Sequence, residues 1–138
     1  MEENRLHLQL ETAIRHVQAS VPGLIALYGF GSQAQGVARP DSDVDIAVLA
    51  SIPIPELRRF ALAQELAVHV HRDVDLVDLR KVSTVMRMQV LSTGVCLKAP
   101  DELARQEFEM YVYADYARLN EERREVVKGI ARSGLVYG

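Results

Sequence analysis

Apolar residues recur at three- and four-residue spacing in several parts of the chain, which is the periodicity of helices with one buried face. Proline and glycine residues end these stretches, and serine, threonine or aspartate residues precede some of them. The pattern predicts four helices: residues 3 to about 20, Glu56 to about His69, a segment capped by Ser83 or Thr84 that ends at Gly94, and Asp101 to about Lys128. The last ten residues are expected to be frayed.

Shorter apolar runs between these helices have the length and composition of strands. They are Leu24–Tyr28, Val44–Ala50, Asp73–Leu79 and Val95–Ala99. Such an order of elements predicts the α+β class, in a two-layer α/β arrangement where a small mixed sheet is packed with helices. We expect a single domain over residues 1–138, with a core at about 10–100 and a C-terminal helix at about 101–128.

Composition and charge exclude several classes of protein. Hydrophobic residues make up 49% of the 138 residues, which is enough for a buried core without disulfides or zinc. The single cysteine, Cys96, lies in an apolar run and is expected to be buried, which fits a cytoplasmic protein. No apolar run approaches the roughly 20 residues that cross a bilayer. A net charge of −3 argues against a broad nucleic-acid-binding surface.

Two aspartates at the start of the second strand are candidates for metal binding. Asp43 and Asp45 are two residues apart, so on a strand both carboxylates point to the same face. Two ionised carboxylates at this spacing repel each other, and a cation between them removes the repulsion. Hard oxygen ligands of this kind suit Mg²⁺, which binds a few carboxylates together with substrate phosphates.

The first strand ends in the glycine-rich segment Gly29-Phe30-Gly31-Ser32. Glycine lets the backbone turn sharply and approach a ligand closely. The residues after Ser32 could begin a short helix, whose amides and the Ser32 hydroxyl would hold a phosphate. A phosphate-binding turn and a carboxylate pair on neighbouring strands are the parts that nucleotidyl transfer requires. We therefore expect Gly31 and Ser32 to bind the nucleotide.

A third carboxylate would complete a site for two metal ions and could accept the proton of an attacking hydroxyl. In the third strand, acidic and aliphatic residues alternate, so Asp73 and Asp75 share one face and Asp78 lies on the other. We favour Asp75 because it is central to the strand, whereas Asp73 lies at its start. The predicted catalytic and metal-binding residues are thus Asp43, Asp45 and Asp75.

Gly31-Ser32, ten intervening residues and Asp43-x-Asp45 resemble the signature of the polymerase-β-like nucleotidyltransferase superfamily. The chain is similar to its smallest members, the minimal nucleotidyltransferases, and the stretches at 73–80 and 85–94 further resemble MntA-type antitoxins of HEPN/MNT toxin–antitoxin pairs. The resemblance implies an adenylyltransferase that uses ATP and Mg²⁺, with two ions, to transfer AMP to a tyrosine of a HEPN ribonuclease toxin. It also implies a hetero-oligomer with that toxin.

One position departs from the family. Gln35 stands before Gly36, where many relatives carry arginine, which removes one candidate phosphate contact. No other basic residue stands out as the triphosphate ligand. The candidates are Arg39, Lys81, Arg87 and Lys98.

Two other functions remain open from the sequence. The chain could transfer a nucleotide to a small molecule such as an aminoglycoside, or it could be a catalytically silent antitoxin that inhibits by binding. The last predicted helix is also open to two interpretations. It could pack on the sheet through Phe108, Val112 and Leu119, and its remaining aromatic residues, among them Tyr111 and Tyr113, could form a protein interface.

Overall fold

The computed structural model describes residues 2–31 and 42–133, and within these residues it contains four helices and four strands. In chain order they are α1 (Glu2–Ser20), β1 (Leu24–Phe30), β2 (Val44–Ala50), α2 (Glu56–Val70), β3 (Val74–Asp78), α3 (Thr84–Thr93), β4 (Val95–Lys98) and α4 (Glu102–Ser133). No helix in the described ranges is long and apolar enough to span a membrane.

The strands form one sheet in the order β3-β2-β1-β4. β1 pairs with both β2 and β4 in the antiparallel sense, and β2 pairs with β3 in the parallel sense. The parallel pair is possible because α2 returns the chain to the end of the sheet where β2 began. The expected class, a small mixed sheet packed with helices, is confirmed.

Helices cover both faces of the sheet. On one face, α1 and α2 pack against the inward side chains of β1, β2 and β3, including Leu27, Ile46 and Leu76. On the other face, α3 and α4 pack against a second set that includes Ala47 and Leu49. The central strand β2 is apolar on both faces because each face carries a helical layer. The structure therefore has three layers, the sheet with helices on either side, whereas two layers were expected.

Three helix ends follow the capping pattern of the sequence. The Ser83 hydroxyl accepts a hydrogen bond from the amide of Met86, at 3.1 Å, and α3 ends at Gly94 as expected. The Asp101 carboxylate accepts from the amide of Ala104, at 3.1 Å, and so caps the start of α4. These two caps, Ser83 and Asp101, fix where α3 and α4 begin relative to the sheet.

Two expectations about the C-terminal part were wrong. Cys96 is exposed, because β4 is a short strand at the edge of the sheet and most of its side chains face solvent. The expected fraying after Lys128 is not seen as far as Ser133, where the described part of α4 ends. β1 also extends two residues further than predicted, to Phe30.

Candidate active site

The end of β1 and the start of β2 meet at the proposed site. Phe30 is the register partner of Asp45, so Gly31, the next residue, lies beside the Asp45 carboxylate. Gly31 has a φ of 72°, a conformation that other residues rarely adopt. A Cβ atom at Gly31 would overlap the Oδ2 atom of Asp45. The glycine is therefore required both for the turn and for the close approach of the backbone to the carboxylate.

Asp45 and Asp75 are direct neighbours in the sheet. They are register partners in the parallel pair of β2 and β3. Each is followed two residues later by a residue that packs toward α3 and α4, namely Ala47 and Val77. Residues two apart on a strand share a face, so both aspartates point to the face covered by α3 and α4. Asp43 comes two residues before Asp45 and is exposed. The structure thus brings together the Asp43, Asp45 and Asp75 backbones at one end of the sheet.

The charges at this site repel one another. Burial raises the pKa of the Asp45 carboxyl, and the negative charges of Asp75 and Asp43 raise that pKa further. A cation bound beside Asp45 would offset this repulsion.

The other two acidic residues of the third strand region lie outside this arrangement. Asp78 is 3% exposed, and its carboxylate accepts hydrogen bonds from the amides of Ile54 and Arg80, at 2.8 and 2.9 Å. It therefore holds the loop before α2 against the end of β3. Asp73 precedes β3, and its carbonyl oxygen accepts the amide of Val44, at 2.9 Å. Asp75 is the acid of this strand with a register partner among the candidate residues.

The residues present fit magnesium. Carboxylate oxygens are the ligands that Mg²⁺ prefers, and Gly31 carries no Cβ atom that would overlap one of them, Oδ2 of Asp45. Among the described residues, no three His, Cys, Asp or Glu side chains are gathered as a ready-made metal site. Mg²⁺ is bound by one or two carboxylates together with waters and substrate phosphates, so the neighbouring Asp45 and Asp75 could supply its protein ligands.

Comparison with known proteins identifies the family. The family model described as Polymerase beta, Nucleotidyltransferase matches residues 12–103, which is more than half of the chain and includes all the candidate residues. The chain belongs to this nucleotidyltransferase family. The match confirms the resemblance to the polymerase-β-like nucleotidyltransferases.

Within the nucleotidyltransferase family, the chain is similar to a protein adenylyltransferase and to chains of toxin–antitoxin structures. It is 38% identical over 120 residues to the protein adenylyltransferase MntA of Shewanella oneidensis, which covers 85% of this chain and 84% of that protein. A crystal structure of a toxin–antitoxin with AMP-PNP contains a chain that is 34% identical, with a TM-score of 0.76, and covers 95% of this chain and 99% of its own length. A structure of a tri-AMPylated Shewanella oneidensis HEPN toxin in complex with MNT antitoxin gives 32% identity and a TM-score of 0.74, with the same two coverages.

The structure separates the basic residues that were candidates for the triphosphate in this nucleotidyltransferase. The Arg87 guanidinium donates to the carbonyl oxygens of Leu79 and Arg80, at 2.6 and 3.1 Å, beyond the end of β3 that is distant from Asp75. Lys98 lies on β4 at the register of Leu27, away from the carboxylates. Lys81 donates to the Ile54 carbonyl oxygen. Arg87 and Lys98 therefore lie away from the candidate carboxylates.

A further basic residue near the site was missed from the sequence. The Nη1 atom of Arg59, on α2, donates to the carbonyl oxygen of Leu76, at 2.7 Å, which faces outward from the edge strand β3. A hydrogen bond to Glu56 raises the pKa of Arg59, and the charges of Asp75 and Asp78 contribute to this. Arg59 also lines a cleft of about 270 Å³ that includes Asp75 and Lys81. Nothing in the local sequence indicates this role, because it depends on how α2 packs beside β3.

Part of the predicted site lies outside the described residues. These positions are Ser32, Gln35 and Arg39. Their roles in nucleotide binding stay predictions.

Proposed function

We propose that this nucleotidyltransferase is an antitoxin that transfers AMP from ATP to a tyrosine hydroxyl of a HEPN ribonuclease toxin and so neutralises it. One observation carries the chemistry: Asp45 and Asp75 are register partners beside the sharp turn at Gly31. The identity of the acceptor is supported by the similar MntA and by the relatives whose structures hold a HEPN toxin or AMP-PNP. The chain and the toxin would form a hetero-oligomer.

The reaction is a substitution at phosphorus. The tyrosine oxygen attacks the α-phosphorus of ATP, a new oxygen–phosphorus bond forms, and the bond from the α-phosphorus to the bridging oxygen breaks so that pyrophosphate leaves. Asp75 accepts the proton of the tyrosine hydroxyl, because its carboxylate points to the same face as Asp45 at the exposed edge of the site. Proton removal and in-line alignment are the main requirements of phosphoryl-group chemistry.

Asp43, Asp45 and Asp75 would hold Mg²⁺, with two ions when ATP is bound. Bound magnesium would neutralise the triphosphate charge and the charge that develops on the leaving oxygen. Gly31 brings backbone against the Asp45 carboxylate, and Ser32, the next residue, would donate its hydroxyl to a phosphate oxygen. Because Gly31 has no Cβ atom, its backbone lies against the Asp45 carboxylate. A nucleotide bound by Gly31 and Ser32 would therefore lie close to the carboxylates.

A binding-only antitoxin is less consistent with the electrostatics. Asp45 has a raised pKa because it is partly buried beside two other acids, which costs folding free energy. A protein that inhibits by steric contact alone gains nothing from that cost.

Transfer to a small molecule such as an aminoglycoside would require a pocket for the acceptor next to Asp75, where the structure has an open cleft along β3. A cytoplasmic location is part of the proposal because both ATP and an intracellular ribonuclease are found there.

Intact-mass spectrometry of a purified HEPN toxin tests this function. The toxin, encoded beside this chain's gene, is incubated with the chain, ATP and Mg²⁺. We expect a mass gain of one or more adenylyl units, and no gain with the Asp43→Asn, Asp45→Asn double variant. Asp73→Asn is the control, since Asp73 is an exposed acid that precedes β3 and has no register partner among the candidate residues, and it should retain transfer.

The same assay separates the alternatives. Full toxin neutralisation by the double variant, without a mass gain from any nucleotide, would favour inhibition by binding. A wild-type chain that modifies an aminoglycoside and leaves the toxin unmodified would favour the small-molecule acceptor. Equal transfer by Asp75→Asn and wild type would refute the role of Asp75 while leaving the reaction itself in place.

A further inference from the structure

The candidate residues lie in a row across the sheet, and the two ends of this row differ. β2 lies between β1 and β3, and Asp45 is the register partner of Phe30 on one side and of Asp75 on the other. At about 4.8 Å between neighbouring strands, the row spans about 10 Å from Phe30 to Asp75. The turn at Gly31 continues from the β1 end, whereas Asp75 lies on the edge strand β3 and is exposed.

The two substrates of the proposed transfer must occupy opposite ends of this row. The attacking and leaving oxygens of such a reaction lie roughly in line, on opposite sides of the phosphorus. In the proposed reaction, Gly31 and Ser32 hold the departing phosphates at the β1 end. The attacking hydroxyl must then approach from the β3 end, past Asp75. Groups that recognise the acceptor are therefore expected along the outer edge of β3.

A cleft follows this edge. Its volume is about 270 Å³, and its lining includes Asp75 and Lys81. The Lys81 ammonium donates to the carbonyl oxygen of Ile54, and the amide of Ile54 donates to the Asp78 carboxylate, at 2.8 Å. Lys81 is thus held near the level of Asp78, which follows Asp75 by three residues, or about 10 Å along a strand. A cleft of this length fits an extended polypeptide segment that continues past the reacting hydroxyl.

Lys81 carries the least compensated charge of the cleft. Glu56 is held by Arg59, whose Nε atom donates to it at 3.0 Å and whose Nη2 atom also donates to it. The Lys81 ammonium donates to an uncharged carbonyl oxygen and lies 3.9 Å from Glu56, which Arg59 already neutralises. Asp78 is buried and bonded to two backbone amides, and Asp75 is assigned to the metal ions. The remaining lining has one acid and two bases, and so an excess of positive charge.

We propose that the cleft along β3 is the acceptor subsite, and that Lys81 determines acceptor specificity by binding an anionic group beside the reacting hydroxyl; this inference rests on the proposed function. The occupant is an extended segment of the toxin, with its tyrosine hydroxyl at Asp75 and a carboxylate about three residues away, opposite Lys81. Lys81 is thereby assigned to the acceptor and not to the triphosphate, which lies at the other end of the row.

Substitutions of Lys81 test this subsite, with the HEPN toxin as acceptor. Lys81→Glu reverses the charge, Lys81→Met removes it and keeps an unbranched apolar side chain, and Lys81→Arg keeps it. Lys98→Glu is the matched control, because Lys98 is an exposed lysine on β4, at the opposite edge of the sheet. The measurements are kcat, the KM for toxin, the KM for ATP and the affinity for toxin, with Tm as the check of folding.

We expect Lys81→Glu to raise the KM for toxin at least about ten-fold and Lys81→Met to raise it less, with kcat and the KM for ATP unchanged. Lys81→Arg and Lys98→Glu should match wild type. Added salt should raise the KM for toxin more in wild type than in Lys81→Met, because salt screens a pair of exposed charges.

Three results would overturn the inference. A raised KM for ATP with an unchanged KM for toxin would place Lys81 at the triphosphate. A KM for toxin equal to wild type in Lys81→Glu would remove Lys81 from the acceptor. An equal rise in Lys81→Glu and Lys81→Arg would show that the contact with Ile54, and not the charge, is required.

The toxin affinity separates this inference from the proposed function. If wild type transfers no AMP to the toxin, the proposed function fails. In that case, weaker toxin binding by Lys81→Glu, with binding by Lys98→Glu unchanged, would still support the subsite. Equal toxin binding by Lys81→Glu and wild type would overturn the subsite as well.

Discussion

Replacing Asp45 by asparagine should have opposite effects on stability and on activity. Asparagine has nearly the same shape as aspartate but no charge, so Asp45→Asn removes the repulsion from Asp43 and Asp75 and reduces the cost of burying the side chain. In the absence of magnesium, the free energy of unfolding should therefore rise. Transfer of AMP should be lost, because the proposed metal site loses one carboxylate.

The size of the stability change follows from the sheet geometry. Neighbouring strands lie about 4.8 Å apart, so the Asp45 and Asp75 charges are separated by about 5 Å. Because both side chains are at least partly exposed, a dielectric constant near that of water applies, and the repulsion is about 1 kcal/mol. For a domain of this size, this corresponds to a rise of about 4 °C in Tm.

The pH dependence provides a second check of the same prediction. The pKa of Asp45 is raised in the folded state, so between its ordinary and its raised pKa the folded protein binds more protons than the unfolded one. The stability of the wild type must then fall as pH rises through this window. The difference between Asp45→Asn and wild type should be largest above the raised pKa and should disappear below the ordinary one.

Thermal unfolding followed by circular dichroism measures this difference, with and without Mg²⁺ and a non-hydrolysable ATP analogue. We expect the wild type to gain stability from these ligands and the variant to gain much less. A variant that is less stable than wild type without magnesium, at neutral pH, would refute the argument from repelling carboxylates. So would an equal gain from the ligands in both proteins.

Three further substitutions have defined outcomes. Gly31→Ala should reduce AMP transfer at least about a hundred-fold, because the positive φ and the Asp45 carboxylate both exclude a Cβ atom; transfer near the wild-type rate would contradict the close approach. Arg59→Met should lower stability by about 1 to 2 kcal/mol and lower kcat, since the Leu76 carbonyl loses its donor and β3 holds Asp75 less firmly. Arg59→Lys should restore part of kcat. Urea unfolding and steady-state kinetics would show whether the loss of stability and the loss of kcat are linked. Tyr28→Phe removes a hydrogen bond to Glu109 and should cost about 1 kcal/mol of stability with transfer unchanged, so a loss of activity there would indicate a role that the structure does not show.

Much of the fold could be predicted because local signals and tertiary packing agree. β2 was predicted with its observed bounds, and the caps at Ser83 and Asp101 are those that start α3 and α4. Cys96 was misjudged because an apolar run indicates a buried strand but does not show that the strand lies at the edge. The end of α4 was misjudged because polar residues in a long helix do not mark where it stops.

Part of the candidate site could be predicted from the sequence and part could not. The Asp43 and Asp45 pair follows from the two-residue period of a strand, and the choice of Asp75 over Asp73 agrees with the observed register of β2 and β3. Arg59 could not be found, because its contact with Leu76 joins residues that lie 17 positions apart on different elements.

The most direct test of the central claim is the intact mass of the HEPN toxin after incubation with this chain, ATP and Mg²⁺. The account predicts a gain of one or more adenylyl units with wild type and with Asp73→Asn, and no gain with the Asp43→Asn, Asp45→Asn double variant. An unchanged toxin mass with the wild type, or a gain that persists in the double variant, would contradict it.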